Sequence, residues 1–335
     1  ANFGFPESHS VSFAYLVYAS AYLKRWFPAA FCAGLLDAQP MGFYAPHTLV
    51  ADARRHGVEV RTPDLHASGV GATLEWDGAA IPVDAYPTAP HDGPPQPAVR
   101  LGLASVRSVG DDLATAIVAE RDAAGPYASL DDLARRVDVP RAAFEALATA
   151  GVFAQVTDRA GVALDRRRAL WVAGAVADTG ADHLPGIVTG LDAPTLPGLS
   201  ERELAGADLW ATGVSPDGHP TRFERPHLAS LGVLTAAELR TAPTDARVLV
   251  AGVVTHRQRP ATARGITFLN LEDETGLINI VCSPGLWQRH RRVARGAAAL
   301  LVRGRLERVE GVINVVADRL EPLPVVGAQR SRDFR

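Results

Sequence analysis

From Ala246 onward, apolar and polar residues alternate with a period of two, and this pattern constrains the fold more than any other feature of the sequence. Five short segments carry it: RVLVAGVVTHR, GITFLNLED, LINIVCSP, ALLVRGRLER and VINVVADRLEPL. An arginine-rich helical stretch, about Leu286 to Arg295, separates the third from the fourth. Alternation is typical of half-buried strands, and this order of strands and helix is that of an OB-fold barrel. We predict an OB-fold over residues 246–325 and a tail over 326–335.

The loop after the first of these strands, HRQRPATARG (His256 to Gly265), combines several cations with a flexible tip. OB-folds bind single-stranded nucleic acid through such loops and the second strand, using cations for phosphates and aromatic faces for bases. The barrel is poor in aromatic residues, so we expect electrostatic, sequence-tolerant binding. The alternative is a solvated loop with Phe268 in the core. The predicted DNA-binding residues here are Arg257, Arg259, Thr262, Arg264, Phe268 and Asn270.

A second block, residues 99–155, contains four helical signals separated by Gly or Pro: LGLASVR, DDLATAIVAERDA, SLDDLARRV and PRAAFEALATA. The segment SVRSVGDDLATAIVAER fits a helix-hairpin-helix pattern with a tight turn ending at Gly110. Exposed N–H groups at the start of the next helix favour an anion, so the turn can hold a phosphate oxygen without a basic side chain. An ordinary helical hairpin is the alternative. We predict a helix-hairpin-helix domain whose DNA-binding residues are Arg107, Val109 and Gly110.

Charge is distributed unevenly along the chain. Residues 246–321 hold twelve Arg against seven Asp or Glu, a local net of +5, whereas residues 152–245 hold eight against twelve, a local net of −4. The positive field therefore lies at the C-terminal end. Asp111 and Asp112 follow the predicted hairpin turn, where they either cap the helix and point aside or weaken phosphate binding.

Before the hairpin block, apolar residues recur at helical spacing from Ser8 to Phe27 and from Ala29 to Ala38, and a third helix spans about Pro46 to His56. The opening PESHSVSF places Ser8, His9 and Ser12 at a helix start, where polar groups could face a triphosphate; simple capping by Ser8 is the favoured alternative from composition. Residues 85–98, rich in Pro and Gly, predict a linker, and residues 156–245 a helical or irregular connector.

The composition is that of an ordinary globular protein, with 47% hydrophobic and 21% charged residues and a net charge of −3, which argues against wholesale disorder. No apolar stretch approaches the roughly 20 residues needed to cross a bilayer, and we expect a cytoplasmic protein. Cys32 and Cys282 sit in apolar surroundings and are expected to be packing residues. The chain starts at Ala1 inside a patterned segment, as expected of a fragment. No Walker loop, zinc spacing, GxSxG or paired-carboxylate motif occurs.

Taken in order, these elements resemble the error-prone (ImuC-type) members of the bacterial polymerase III alpha-subunit family, the C-family DNA polymerases. The resemblance is carried by GFPESHSVSFAYLVYASAYLK, LLDAQPMGFYAPHTLVADARRHGVEV, VRLGLASVRSVG, RRRALW, RQRPATARGITFLNLEDETGLINIV and the terminal SRDFR. It implies a multidomain α+β protein in which residues 1–84 are the distal part of the fingers, followed by the helix-hairpin-helix domain and the C-terminal OB-fold barrel.

By that resemblance the parent enzyme would transfer a nucleotide from a dNTP to a primer 3′-hydroxyl on a primer-template. The reaction would use two Mg²⁺ ions held by palm aspartates that lie upstream of this chain. Ser8, His9, Ser12 and Lys24 would then face the triphosphate, and no residue here would be catalytic. The resemblance also implies mutasome accessory proteins, including a Y-family-like subunit and, through it, the sliding clamp.

Two other hypotheses remain open at this point. The chain could be a non-catalytic DNA-binding or scaffold protein built from the same two modules, although such a protein has no need of a fingers helix. It could also be a truncated remnant without activity. In the preferred hypothesis it is the DNA-binding C-terminal part of an error-prone, DNA-directed DNA polymerase acting in DNA repair, damage-induced mutagenesis and translesion synthesis.

Overall fold

The computed structural model describes residues 7–42, 44–76, 96–158, 161–177, 190–216, 218–309, 311–325 and 332–334. These residues form the predicted multidomain α+β arrangement: an N-terminal helical segment, a helix-hairpin-helix module, and a C-terminal barrel, with connecting helices between the last two. Most of the predicted linker, residues 85–95, and residues 326–331 and 335 of the predicted tail lie outside the described residues.

Three helices open the chain in the predicted places: α1 (Glu7–Trp26), α2 (Pro28–Asp37) and α3 (Pro46–Arg55). Both α2 and α3 begin with Pro, whose missing N–H leaves no helical hydrogen bond unmade at that position. They pack on a three-stranded sheet of order β1-β3-β2, made of β1 (Val60–Arg61), β2 (Thr73–Glu75) and β3 (Ala98–Arg100). Since β3 begins at Ala98, the sheet takes in the last residue assigned to the linker.

The hairpin module follows with α4 (Gly110–Ala124), α5 (Leu130–Arg136) and α6 (Arg141–Ala150). The Ser129 hydroxyl caps α5 by accepting from the Asp132 N–H (3.0 Å), and Gly151 ends α6 at φ +80°. The prediction of a helix over LGLASVR is wrong, because only a single 3-10 turn forms there, over Leu103–Ser105. That segment is held instead by backbone bonds to the preceding loop, with Leu103 N–H on the Gly69 carbonyl (3.0 Å).

The connector contains α7 (Arg166–Val176), α8 (Glu201–Thr212), α9 (Pro220–Ser230) and a short strand, β4 (Val233–Leu234). Its elements pack on both neighbours. Ala169, Val172 and Ala211 are buried in the core of the hairpin module, whereas Leu228 and Val233 pack against the barrel. The connector is thus a structural bridge between the two modules.

The barrel comprises β5 (Arg247–Gln258), β6 (Thr267–Asp273), β7 (Gly276–Cys282), the short helices α10 (Pro284–Arg289) and α11 (Arg291–Gly296), β8 (Ala299–Val309) and β9 (Val312–Pro322), and residues 332–334 add β10 (Arg332–Phe334), parallel to β5. The five strands β5 to β9 close because β5 pairs with both β6 and β8. The OB-fold prediction is confirmed, with two short helices in place of one.

Close strand crossing at the barrel seam requires glycine at two positions. A Cβ added to Gly252 would lie 2.8 Å from the Glu272 carbonyl oxygen, and one added to Gly304 would lie 2.4 Å from that of Val316. The barrel core is apolar and includes Cys282, whose thiol has its pKa raised by burial to about 12. Burial has the same effect on Cys32, so both cysteines serve in packing. In the described part of the chain, no helix has the length and apolar character to cross a membrane.

Candidate nucleic-acid interface

In the hairpin turn, exposed residues lie on both sides of one buried side chain. Val109 is only 6% exposed, while Ser108 and Gly110 on either side of it adopt left-handed conformations, with φ of +64° and +65°. A Cβ at Gly110 would meet nothing within 4 Å, so it is the backbone conformation that favours glycine there. The first N–H groups of α4 have no partner within the helix. The residues that carry them, 110–112, are exposed, so these N–H groups can bind a phosphate oxygen.

Charged side chains modify this turn in opposite directions. Arg107 is exposed beside it, and Asp111 and Asp112 are exposed in the first turn of α4. Acidic residues at this position stabilise the helix dipole but repel an incoming phosphate. The N-cap of α4 is Val109, and no side chain caps the helix there, so capping by the two aspartates is not observed and their charge is what affects phosphate binding.

The structure corrects the placement of Arg257. This residue lies in β5, not in the loop, and is 7% exposed. Its Nε donates to the Ala294 carbonyl (2.6 Å) and its Nη2 to the Ala297 carbonyl (2.5 Å), both at the end of α11. A guanidinium that is buried and bonded in this way tethers α11 to the barrel. Its position does not support a role in contacting DNA.

The other loop residues lie at an exposed tip. Arg259, Thr262 and Arg264 are all exposed, with Arg264 in a left-handed conformation at φ +49°. The Arg259 guanidinium lies against Gly265, since a Cβ there would be 3.6 Å from its Nη2. Within the described residues neither arginine forms an ion pair. The tip therefore presents two cations that can bind phosphates.

Next to the tip, β6 offers one aromatic side chain. Phe268 pairs with Val281 on β7 and is 36% exposed, so its ring lies on the surface and not in the core. Asn270, on the same face of the strand, is half-buried and pairs with Asn279. One exposed ring and one amide give a short platform for a base, in keeping with the expectation of mainly electrostatic binding.

Sequence reasoning did not nominate a further group of cations, those on α10 and α11. Four arginines there are exposed, and within the described residues none has an acidic partner: Arg289, Arg291, Arg292 and Arg295. Pro284, at the start of α10, lies against Gly265 of the loop. The run RHRRVARG carried the signal, but a charge run alone does not show whether its cations are paired.

The four residues predicted to face a triphosphate are not brought together. His9 and Ser12 lie exposed on α1, with the His9 ring edge-on to Phe13, and Ser8 lies in α1 with its side chain outside the described part. Lys24 is sixteen residues beyond Ser8 on the same helix, about 24 Å at 1.5 Å per residue. Its Nζ pairs with Asp52 at 2.9 Å. Grouping Lys24 with the other three is therefore corrected.

At the far end of β6, two carboxylates are fully buried, those of Glu272 and Asp273. Glu272 is fully buried, with Thr48 Oγ1 donating to its Oε2 (2.9 Å) and Arg55 Nη1 donating to its Oε1 (3.4 Å). Burial raises the pKa of Glu272 to about 7. Glu274 accepts hydrogen bonds from Thr221 and Arg225 of α9. Burial acts to raise its pKa, but these hydrogen bonds and the Arg225 charge outweigh burial and hold the pKa below its ordinary value. These contacts join the barrel to α3 and α9.

No group of three or more His, Cys, Asp or Glu in the described ranges is arranged to hold a metal ion. In the Glu272–Glu274 run, the carboxylate oxygens already accept from Thr, Arg and backbone donors. The described residues therefore do not fit a pair of Mg²⁺ ions.

Comparisons with known proteins match this arrangement. The family model described as "Helix-hairpin-helix motif" matches residues 57–163, and that described as "OB-fold nucleic acid binding domain" matches residues 248–323. The error-prone DNA polymerase of Mycolicibacterium paratuberculosis is 53% identical over 335 residues, and that of Nocardia farcinica is 56% identical over 337 residues. Both alignments cover 100% of this chain and 28% of the relative, so the chain spans less than a third of the relatives' length.

Among solved structures, an asparaginyl-tRNA synthetase from Pyrococcus horikoshii matches 29% of this chain and 23% of its own, at 20% identity and a TM-score of 0.24. The argument for relatedness rests on the sequence relatives. Identity of about half along the whole chain, together with the two nucleic-acid-binding modules, makes this chain a homologue of a segment of error-prone DNA polymerases.

Proposed function

We propose that this chain holds primer-template DNA for a template-directed polymerase, with the hairpin turn on the duplex backbone and the barrel tip on the single-stranded template. The identity of about half over the whole chain to error-prone DNA polymerases carries the proposal. The exposed turn supports it, as do the tip arginines Arg259 and Arg264, which form no ion pair with any residue that the structure describes. Backbone amides and arginines both bind phosphate without reading sequence.

In this proposal the chemistry belongs to parts of the parent that this chain does not cover. Those parts would bind the dNTP and hold two Mg²⁺ ions through carboxylates, and the metals would stabilise the attacking and leaving oxygens of phosphoryl transfer. The described residues of this chain contribute no such carboxylate set. Its own contribution is to orient the DNA.

The biological setting is part of the same proposal. We include in it a role in damage-induced mutagenesis, repair and translesion synthesis in the cytoplasm. The relatives' name, error-prone DNA polymerase, supports the mutagenic part of this role. We include mutasome accessory proteins as partners, among them a Y-family-like subunit and, through it, the sliding clamp. These partners are supported by the family resemblance alone.

The test is fluorescence anisotropy of this 335-residue chain with labelled duplex, single-stranded and primer-template DNA, from about 50 to 200 mM salt. We expect a linear fall of log affinity with log salt concentration, and tighter binding of primer-template than of either part alone. Replacing Asp111→Asn and Asp112→Asn together should strengthen duplex binding a few-fold and leave single-strand binding unchanged.

Asp122→Asn, at the other end of α4, is the matched control and should leave duplex binding unchanged. Absence of binding to all three DNAs at low salt would reject the proposed function. Equal effects of the paired and control substitutions would reject the turn as the duplex site.

A further inference from the structure

The C-terminal end of α8 is capped by the hairpin turn. The last carbonyls of a helix have no partner within it. Here the Trp210 carbonyl accepts from Arg107 Nε (3.0 Å), and the Ala211 carbonyl accepts from the Arg107 backbone N–H (2.7 Å). A cation at this position also complements the negative end of the helix dipole. One residue of the turn thus satisfies two carbonyls of a helix that lies about a hundred residues further along the chain.

A shared core makes the turn and the end of α8 one rigid unit. Ala211 is 1% exposed and belongs to the same apolar cluster as Val106 and Val109. Gly213 then ends α8 in a left-handed conformation at φ +73°, with its N–H on the Leu209 carbonyl (3.1 Å). The position of Trp210 is therefore fixed with respect to the phosphate-binding amides.

Trp210 remains 46% exposed despite its size. The Arg107 guanidinium lies over its ring, 4.8 Å from the centroid. Within the described residues, Nε is the only atom of that guanidinium that forms a hydrogen bond. Both Nη groups are therefore able to donate to a ligand. An exposed indole next to a cation with unused donors offers both an apolar surface and phosphate-binding groups.

We propose that Trp210 and Arg107 extend the hairpin's binding surface onto α8 and contact the sugar-phosphate backbone of duplex DNA. Arg107 would bind the phosphate next to the one held by the turn amides, and the indole would pack on the intervening sugar. Trp210 lies outside both matched family segments, 57–163 and 248–323. This inference rests on the proposed function and adds a contact residue to it.

The experiment compares Trp210→Ala with Trp171→Ala in anisotropy titrations of labelled duplex across salt concentrations. Trp171 lies on α7 and is 52% exposed, and within the described residues no ring contact joins it to the turn. Loss of an aromatic contact should weaken duplex binding about five- to tenfold. Because the indole is neutral, the salt slope should not change. The control should bind within twofold of the wild type.

A second measurement separates contact from support of the fold. In a Trp171→Phe background, duplex DNA should protect part of the tryptophan emission from acrylamide. Adding Trp210→Phe should reduce that protection while preserving the melting temperature, because Trp26, Trp76 and Trp287 are present in both proteins. If the wild type binds duplex and Trp210→Ala binds it with equal affinity, this inference is overturned. It is also overturned if duplex gives no protection of the emission. In both cases the proposed function stands. Failure of the wild type to bind duplex would instead reject the proposed function itself.

Discussion

The two ends of strand β6 carry opposite charges in opposite environments. At its start, Phe268 is exposed next to the loop that bears Arg259 and Arg264. At its end, Glu272 and Asp273 are both fully buried. A single strand therefore faces solvent with cations at one end and a protein junction with carboxylates at the other.

Burial decides what each set of charges can do. Exposed cations in water interact weakly with any one partner but remain available to a polyanion, and their effect is screened by salt. Buried carboxylates are costly unless bonded, so they influence stability and its dependence on pH. We call the start of β6, with Phe268 and the loop arginines, the open end, and its end at Glu272 and Asp273 the closed end. The open end is expected to affect DNA affinity, and the closed end to affect folding.

The largest expected effect is a loss of stability on replacing Arg257, which is close in sequence to the tip arginines but is buried. Arg257→Ala would leave two carbonyls of α11 without their donor, and we expect a loss of about 3 kcal/mol in the free energy of unfolding. Urea denaturation measures it. The salt slope of single-strand binding should not change.

Arg247→Ala is the control for this substitution, because Arg247 lies on the same strand with its side chain 73% exposed. It should change stability by less than about 0.5 kcal/mol. A loss of salt slope in Arg257→Ala, with stability intact, would place Arg257 with the tip cations and break the comparison.

The next effect concerns pH and the closed end. The pKa of Glu272 is raised from 4.5 to about 7 in the folded protein. The folded state therefore holds a proton that the unfolded state releases, and stability falls as the pH rises between these values. Glu272→Gln removes this loss, so from pH 5 to pH 8 the variant should gain on the order of 2 kcal/mol relative to the wild type. Denaturation across that pH range measures it.

Glu321→Gln supplies the control, since Glu321 is an exposed carboxylate of β9 that pairs with Arg319. Its stability difference from the wild type should stay constant from pH 6 to pH 8. If the unfolding free energies of Glu272→Gln and the wild type change in parallel with pH, the pKa of Glu272 does not differ between the folded and unfolded states.

At the open end, replacing Arg259→Ala and Arg264→Ala together should weaken single-strand binding about tenfold at low salt. Removal of two phosphate contacts should lower the salt slope by about 1.4. Anisotropy titrations at several salt concentrations measure both quantities, and the unfolding free energy should not change. Arg247→Ala with Arg319→Ala, two exposed arginines with acidic partners, is the matched pair. An equal fall in slope for that pair would mean that net charge, not the tip, controls binding.

The smallest effect is that of the exposed ring. Phe268→Ala should weaken single-strand binding about threefold at every salt concentration, because one partly exposed ring contributes less than a full stacking platform. The slope should be unchanged. Val312→Ala, also exposed on the barrel, should have no effect on affinity. A loss of stability in place of affinity would assign Phe268 to the core after all.

Local patterns predicted the elements well and the environments of charged residues poorly. Alternation gave β6 and its partner strands, and Gly and Pro separated the helices of the hairpin block, because these signals depend on neighbours in sequence. Glu272 lies on the same face of β6 as Phe268, as alternation requires, but its burial depends on Thr48 and Arg55, more than two hundred residues earlier. No local signal carries that information.

The same limit explains the misplacement of two cations. The letters RQRPATAR show where arginines cluster, but whether Arg257 faces solvent depends on α11, which lies 37 to 40 residues later. Lys24 was grouped with Ser8 through the resemblance, whereas helix length keeps them apart and Asp52 of α3 pairs with the lysine. Charge is visible in a sequence; its partner across the fold is not.

The contacts of the closed end also determine which residues must be kept with the barrel if it is to fold as a separate domain. Cutting before β5 would remove β4, which pairs with β5 at Leu249 and Val250. It would also separate Glu274 from Thr221 and Arg225 of α9. A module meant to be excised or grafted therefore begins no later than residue 218, ahead of α9, and it would still lose the donors that Thr48 and Arg55 of α3 give to Glu272.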